Sequence, residues 1–146
     1  MKKAFVFVLL TSFLILSGCT APKDEVLFSL GKYKSKEYFT SGGFQDYTVY
    51  SKYTYEDVDF SDNKYFEKIS SDEKSNLLTH LENFENWVEV IDDNDLSSGY
   101  DFDSSIISDD DYLYIYDNPD YPELGCYDVY FFDKEILTLY YFHNNI

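Results

Sequence analysis

The sequence predicts an α+β domain in which a mainly antiparallel sheet packs on one long helix, in the order strands, helix, strands. Residues 26–55 have strand-like patterning, and residues 61–91 change to the three- and four-residue steps of an α-helix. The last third of the chain returns to short runs rich in Tyr and Phe, which is typical of β-strands. Separate blocks of strands and helix favour an α+β architecture over an alternating α/β one.

The first two strands are expected to form a hairpin. The dipeptide Gly42-Gly43 separates the run at residues 37–40 from a second run, and a glycine pair is typical of a tight β-turn. The second run alternates with a period of two, which assigns every other side chain to one face of the sheet. The residues assigned to that face are Tyr47, Val49, Ser51, Tyr53 and Tyr55.

The helical segment is predicted to contain a short helix over residues 62–69, which begins after Ser61, and then the main helix. Ser70 and Glu73 have the spacing of a capping box at the start of the main helix. Acidic residues follow at 92–95, where the helix dipole disfavours them, so the helix should end near Ile91. Its apolar stripe consists of Leu77, Leu81, Phe84, Val88 and Ile91, and its exposed face carries Glu82, Glu85 and Glu89.

A strand over residues 112–116 and a hairpin formed by residues 127–132 and 136–142 complete the predicted fold. In the first of these strands, Leu113 and Ile115 face the core. The other side presents a row of tyrosines, which is a candidate binding face because exposed tyrosines stack on sugars or anchor protein interfaces. The favoured alternative is that these rings border the core with their hydroxyls in water. The row consists of Tyr112, Tyr114 and Tyr116.

Charge excludes one large class of partners. The 146 residues include 28 Asp or Glu and 11 Lys, with no Arg, so the formal net charge is -17. Nucleic-acid binding requires basic residues that displace counterions, and we therefore expect no nucleic-acid partner. The absence of arginine also removes the forked donor that grips phosphates in two places. With 45% hydrophobic and 21% aromatic residues, the chain is nevertheless apolar enough to fold.

The N-terminus has the features of an export signal. Lys2 and Lys3 precede a mostly apolar run over residues 4–16, which is too short for a membrane-spanning helix. The run ends in Leu-Ser-Gly-Cys, with the cysteine at Cys19. This segment resembles the lipobox signal peptide of bacterial lipoproteins. The resemblance implies cleavage before Cys19, a diacylglyceryl thioether and fatty acyl groups such as palmitate on that residue, and a location on the extracytoplasmic face of the cell membrane.

The predicted organisation follows from this signal. Residues 1–18 are the lipoprotein signal peptide, residues 19–25 are the lipidated cysteine and a linker, and residues 26–146 form a single domain. Removal of the signal leaves nine lysines against 28 acids, a net charge of -19. We expect anionic headgroups to repel such a domain, so that the lipid alone attaches it. Use of Cys19 as the anchor also leaves the chain without a cysteine pair for a disulfide.

The acid-rich stretch at residues 92–111 is the most suggestive cation site. Asp93, Asp95 and Ser97 have the one-three-five spacing of a calcium loop, but Ser98 and Ser104 occupy the positions that need glycine and a carboxylate. We therefore predict no dedicated metal or cofactor, with weak divalent-cation binding as the remaining option. The weak calcium candidates are Asp93, Asp95, Asp101 and Asp103.

No catalytic motif is present in the sequence. His80, His143 and Cys126 lack zinc-ligand spacing, and there is no Gly-x-Ser-x-Gly elbow. His80 is expected to be half-exposed at the edge of the helix stripe, and Cys126 to be a small packed residue. We therefore expect a surface-tethered, non-catalytic module that binds a protein or a wall polymer. The alternatives are an acidic inhibitor or immunity-type protein with a basic partner, and a small extracytoplasmic hydrolase that uses His80 or His143.

Overall fold

The computed structural model describes residues 23–42, 47–91, 94–121 and 124–145. The predicted signal peptide, Cys19, the turn after Gly42 and the calcium candidate Asp93 lie outside these ranges.

Within the described ranges, three α-helices accompany one six-stranded sheet in which every neighbouring pair is antiparallel. The spatial strand order is β1-β2-β6-β5-β4-β3. This architecture confirms the predicted α+β class with an antiparallel sheet and one long helix. The elements are α1 (Lys23–Ser29), β1 (Ser35–Gly42), β2 (Tyr47–Thr54), β3 (Glu67–Lys68), α2 (Ser71–Val90), α3 (Asn94–Gly99), a 3-10 turn (Ser104–Ile106), β4 (Tyr112–Asp117), β5 (Cys126–Asp133) and β6 (Thr138–Asn145).

Helix α2 begins with the predicted capping box. The Ser70 hydroxyl accepts a hydrogen bond from the Glu73 backbone N–H at 3.3 Å, and the Ser70 N–H donates to the Glu73 carboxylate at 2.6 Å. The helix ends at Val90, with Ile91 as its C-cap, as predicted. Its buried residues are Leu77, His80, Leu81, Phe84 and Val88.

The sheet is covered on both faces. Helix α2 packs on one face, where its stripe meets residues such as Leu113, Val129 and Phe142. Helix α1 and the loop over residues 55–66 cover the other face, where they meet Tyr130, Phe132 and other residues. Every residue of β5 is consequently buried, because neither face of this central strand reaches water. Among the described residues, all buried members of both core clusters lie within residues 26–142.

Two predicted segments are wrong. Residues 23–25 are predicted to belong to a linker and residue 26 to begin a strand, but these residues lie in α1, which begins at Lys23. Val26 and Leu30, one helical turn apart, are both buried against the sheet, and this contact stabilises the helix.

The predicted short helix over residues 62–69 is also absent. The Asn63 carboxamide oxygen accepts hydrogen bonds from the backbone N–H groups of Tyr65 and Phe66, at 2.9 and 3.1 Å, which holds a turn. Glu67–Lys68 then pair with β4 as the edge strand β3. Local side-chain bonding and strand pairing therefore override the helical spacing.

Both predicted hairpins are confirmed by strand pairing. Gly42 of β1 pairs with Tyr47 of β2, and Asp133 of β5 pairs with Thr138 of β6. Gly99, the last residue of α3, packs against Phe39 of β1. A Cβ atom at position 99 would overlap the Phe39 ring. No helix among the described residues is both long and apolar enough to cross a membrane.

Candidate functional site

The tyrosine row of β4 lies against the loop that precedes β3. The Tyr112 ring stacks on Phe60 with 3.8 Å between centroids, and the Tyr114 ring contacts Tyr65 edge-on at 5.3 Å. Tyr112, Tyr114 and Tyr116 are all half-buried. Other aromatic rings therefore already contact Tyr112 and Tyr114, and use of the row as a binding face stays a prediction.

The described calcium candidates make contacts within the protein. Asp101 accepts hydrogen bonds from the Tyr50 hydroxyl at 2.8 Å and from the Lys52 ammonium at 2.7 Å. Partial burial would raise the pKa of Asp101, but these two donors and the lysine charge lower it below its usual value. Asp103 accepts a bond from the Ser105 N–H and caps the 3-10 turn, while Asp95 lies in the first turn of α3. In the part of the chain that the structure describes, no group of three or more His, Cys, Asp or Glu side chains could hold a metal ion.

The prediction of a half-exposed His80 is wrong, because the side chain is buried with a residue exposure of 2%. Its ring meets Tyr127 of β5 edge-on at 5.0 Å. Nδ1 lies 2.9 Å from the Asn76 carbonyl oxygen, and Nε2 lies 2.8 Å from an Asp117 carboxylate oxygen. Each ring nitrogen therefore lies within hydrogen-bond distance of an acceptor. The geometry makes His80 a link between α2 and β4.

A second buried polar cluster involves His143. Its Nδ1 donates to Asp128 at 2.9 Å, and the Tyr141 hydroxyl donates to the same carboxylate oxygen at 2.5 Å. A carboxylate that orients an imidazole also occurs in hydrolytic triads. However, His143 Nε2 is buried and, within the described ranges, makes no hydrogen bond to a hydroxyl, a thiol or any other group. Among the described residues, no nucleophile therefore contacts His143, and the hydrolase alternative stays a prediction.

Cys126 is buried at the start of β5, which confirms its prediction as a packed residue. Its sulfur lies 3.9 Å from the Asn118 carboxamide nitrogen.

A concave surface lies between α1 and β1, and it is larger than three others among the described residues. It measures about 520 Å³, whereas the other three measure about 210, 340 and 360 Å³. Gly31, with a φ of 82°, ends the turn after α1 and returns the chain toward β1. We call this surface the lysine–aromatic groove, and it is lined by Lys23, Leu27, Phe28, Lys32, Tyr33, Lys36 and Tyr53 together with Gly31.

Lysines in the groove contact aromatic rings. The Lys23 ammonium lies 4.2 Å from the centroid of the Tyr141 ring, and the Lys36 ammonium lies 4.6 Å from that of Tyr38. Lys52, Lys64 and Lys68, which lie outside this groove, form ion pairs with acids. Local sequence patterns do not predict this groove, because its members come from α1, the α1–β1 loop, β1 and β2. The available signal was the density of four lysines within residues 23–36.

Charge is divided unevenly along the chain. Residues 23–36 carry four lysines and two acids, a net charge of +2, whereas residues 37–146 carry five lysines and 26 acids, a net charge of -21. Three lysines and, among the described residues, no acid line the lysine–aromatic groove, which makes it a local cationic surface on an acidic body.

Comparison of the chain with protein-family models, with curated proteins and with solved structures finds no match.

Proposed function

We propose that the protein is a lipoprotein, held at the extracytoplasmic face of the cell membrane by a diacylglyceryl group on Cys19, and that it acts there as a non-catalytic binding module. The N-terminal charge, the apolar run and the Leu-Ser-Gly-Cys ending support the anchor. Two acyl chains are enough for stable attachment. The domain is thereby held close to the membrane, and its binding surfaces act at that location.

The lysine–aromatic groove is the proposed binding surface. The observation that carries this proposal is a concavity of about 520 Å³ that combines lysine ammonium groups with aromatic and aliphatic walls. Its volume falls within the range of about 300–1,000 Å³ that is typical of ligand sites. The ammonium groups favour an anionic group, and Leu27 and Phe28 offer apolar contact. The ligand class is therefore an amphiphilic anion.

Calorimetric titration of the chain from Thr20 onward with hexyl phosphate tests the groove. We expect saturable binding that weakens at least tenfold in the double variant Lys32→Ala/Lys36→Ala, since both lysines line the groove. The matched control is Lys68→Ala/Lys134→Ala, which removes the same charge from β3 and the β5–β6 turn. Equal affinity in the two double variants, or no binding in the parent, would contradict the proposal.

The anchor is tested separately in cells fed a labelled fatty acid. The parent chain should incorporate the label, and Cys19→Ser should lose both the label and lipoprotein-type processing, because the thiol carries the lipid. Cys126→Ser is the control, since Cys126 is buried in the domain. Label that persists in Cys19→Ser would show that the anchor is elsewhere.

A second candidate function is that of an acidic inhibitor or immunity-type protein with a basic partner. The net charge of -21 over residues 37–146 favours it, because complementary charge accelerates and selects encounters. Capture on intact cells with a crosslinker should then recover a basic protein, and the association should weaken steeply with salt. Glu82→Gln/Glu89→Gln on the exposed face of α2 should slow association. Recovery of neutral or acidic partners would remove this candidate.

A further inference from the structure

We infer that the occupant of the lysine–aromatic groove is the anionic surface of the membrane that carries the anchor, so that the α1 side of the domain rests on lipid headgroups. This inference rests on the proposed function, because it takes the groove to be the binding surface. Three independent features of the described residues support it: local charge, exposed aromatic side chains and the distance to Cys19.

Local charge opposes the repulsion expected from the net charge of the domain. Lys23, Lys32 and Lys36 line one groove, and no acidic residue is among the described residues that line it. Electrostatic interactions are screened over about 8 Å at physiological salt, so headgroups under the groove respond mainly to these lysines. Each lysine near an anionic surface strengthens binding about fivefold. The net charge alone predicts that headgroups repel the domain, because it does not reflect the concentration of lysines in the groove.

Exposed aromatic side chains surround the same lysines. Phe28 of α1 is 79% exposed, and Tyr33 and Tyr38 are 42% and 46% exposed. Aromatic and aliphatic side chains interleaved with lysines are typical of surfaces that settle at the boundary between headgroups and acyl chains. Phe28 is the side chain best placed to enter that boundary because most of its surface is bare.

The predicted anchor restrains the orientation of the domain. Cys19 precedes Lys23 by four residues, which span at most about 14 Å when extended. Helix α1 must therefore stay near the bilayer. Helix α2 covers the opposite face of the sheet and carries Glu82 and Glu89 on its exposed side. Contact through α1 consequently keeps these two carboxylates away from anionic lipid.

Vesicle flotation with the unlipidated chain from Thr20 onward tests the inference, since this chain holds both core clusters. We expect the chain to bind vesicles that contain about 30% phosphatidylglycerol, with the affinity that a few lysines provide. High salt should abolish this binding. Lys32→Ala/Lys36→Ala should weaken it about 25-fold, at about fivefold per lysine, while Lys68→Ala/Lys134→Ala should retain it. Circular dichroism of each variant verifies the fold.

Orientation has its own readout. In the variant Phe28→Trp, the emission of the introduced tryptophan should shift to shorter wavelength when the chain binds anionic vesicles. Lipids with brominated acyl chains should quench this emission. Val90→Trp, at the exposed end of α2, should do neither. Quenching of Val90→Trp, or equal binding to neutral phosphatidylcholine vesicles, would overturn the inference.

The two proposals fail in different ways. If hexyl phosphate binds in the groove but anionic vesicles do not, the occupant is a small amphiphilic anion and the membrane inference is overturned. If neither the phosphate ester nor the vesicles bind, the groove is not a binding surface and the proposed function is overturned as well. Vesicle binding that survives removal of Lys32 and Lys36 would also contradict the inference.

Discussion

The Asp128 carboxylate accepts the Nδ1 hydrogen of His143 at 2.9 Å in the interior of the sheet, where both side chains are only 4% exposed. The two residues are directly opposite each other on the central strands β5 and β6. The Tyr141 hydroxyl donates to the same oxygen. A slip of the two strands by one residue would move these partners to opposite faces, so the cluster helps to fix the register.

Asp128→Ala is therefore expected to lower the free energy of unfolding by about 3 to 5 kcal/mol, because it leaves two buried donors without their acceptor. Urea unfolding of the chain from Thr20 onward measures the change. Glu135→Ala, at an exposed position in the β5–β6 turn, should stay within about 0.5 kcal/mol of the parent. A loss below about 1 kcal/mol in Asp128→Ala would show that the cluster adds little.

The buried tyrosines predict alkaline unfolding. Burial, more than nearby acidic groups, raises the pKa of Tyr50, Tyr127, Tyr130 and Tyr141 above the usual value of 10.0. Above pH 10 the unfolded chain loses phenolic protons that the folded chain keeps, so the free energy of unfolding decreases as pH rises. The slope is about 1.4 kcal/mol per pH unit for each such tyrosine.

Phenolate absorbance and urea midpoints between pH 8 and pH 12 test this expectation. These tyrosines should leave the urea midpoint unchanged below pH 10 and lower it above pH 10. Their ionisation should coincide with unfolding of the domain. Gradual ionisation of all 16 tyrosines near pH 10 without unfolding would contradict the burial argument.

Strong local signals were sufficient to predict α2 and the two hairpins. The cap at Ser70, the stripe through Phe84 and the polar turn at 133–135 each specify an element without help from distant residues. Helix α1 was missed because it has only two turns, and its apolar residues acquire a role only when the sheet is in place. Tertiary contact of this kind routinely overrides local propensity.

Strand register decides which residues meet in the candidate site, so the site could not be predicted from local patterns alone. Lys36 of β1 lies opposite Tyr53 of β2, although 17 positions separate them in the sequence. The contact of Asp128 with His143 likewise depends on the β5–β6 register. His80 was misjudged because a histidine at the edge of a helical stripe gives no sign that Tyr127 will cover it.

The capping box provides a test of helix initiation. Ser70→Ala should lower the free energy of unfolding by about 1 kcal/mol, since the Glu73 N–H loses its acceptor. Thermal melts give the measurement. Ser75→Ala, at an exposed position inside α2, is the matched control and should be neutral or slightly stabilising. If the Ser70→Ala chain is as stable as the control, the Ser70 side chain does not stabilise the start of α2.

Phe84 provides a test of the core between α2 and the sheet. Its ring is fully buried and meets Phe142 edge-on at 5.3 Å. Phe84→Ala should lower the free energy of unfolding by about 3 to 5 kcal/mol through lost burial and a cavity. Leu78→Ala removes an apolar side chain from the exposed side of the same helix and should cost much less. An unchanged melting temperature in Phe84→Ala would contradict the packing of α2.

The acidic loops should bind calcium only weakly. Asp101 already accepts hydrogen bonds from Tyr50 and Lys52, so calcium would have to displace a cation and a donor to bind this carboxylate. We therefore expect only weak binding, in the millimolar range of the loosest extracellular sites, spread over the loops. Calorimetric titration of the chain from Thr20 onward should show shallow, non-saturating heats that Asp101→Asn leaves nearly unchanged. A single-site micromolar isotherm that disappears in Asp101→Asn, but persists in Asp59→Asn, would instead identify a dedicated calcium site.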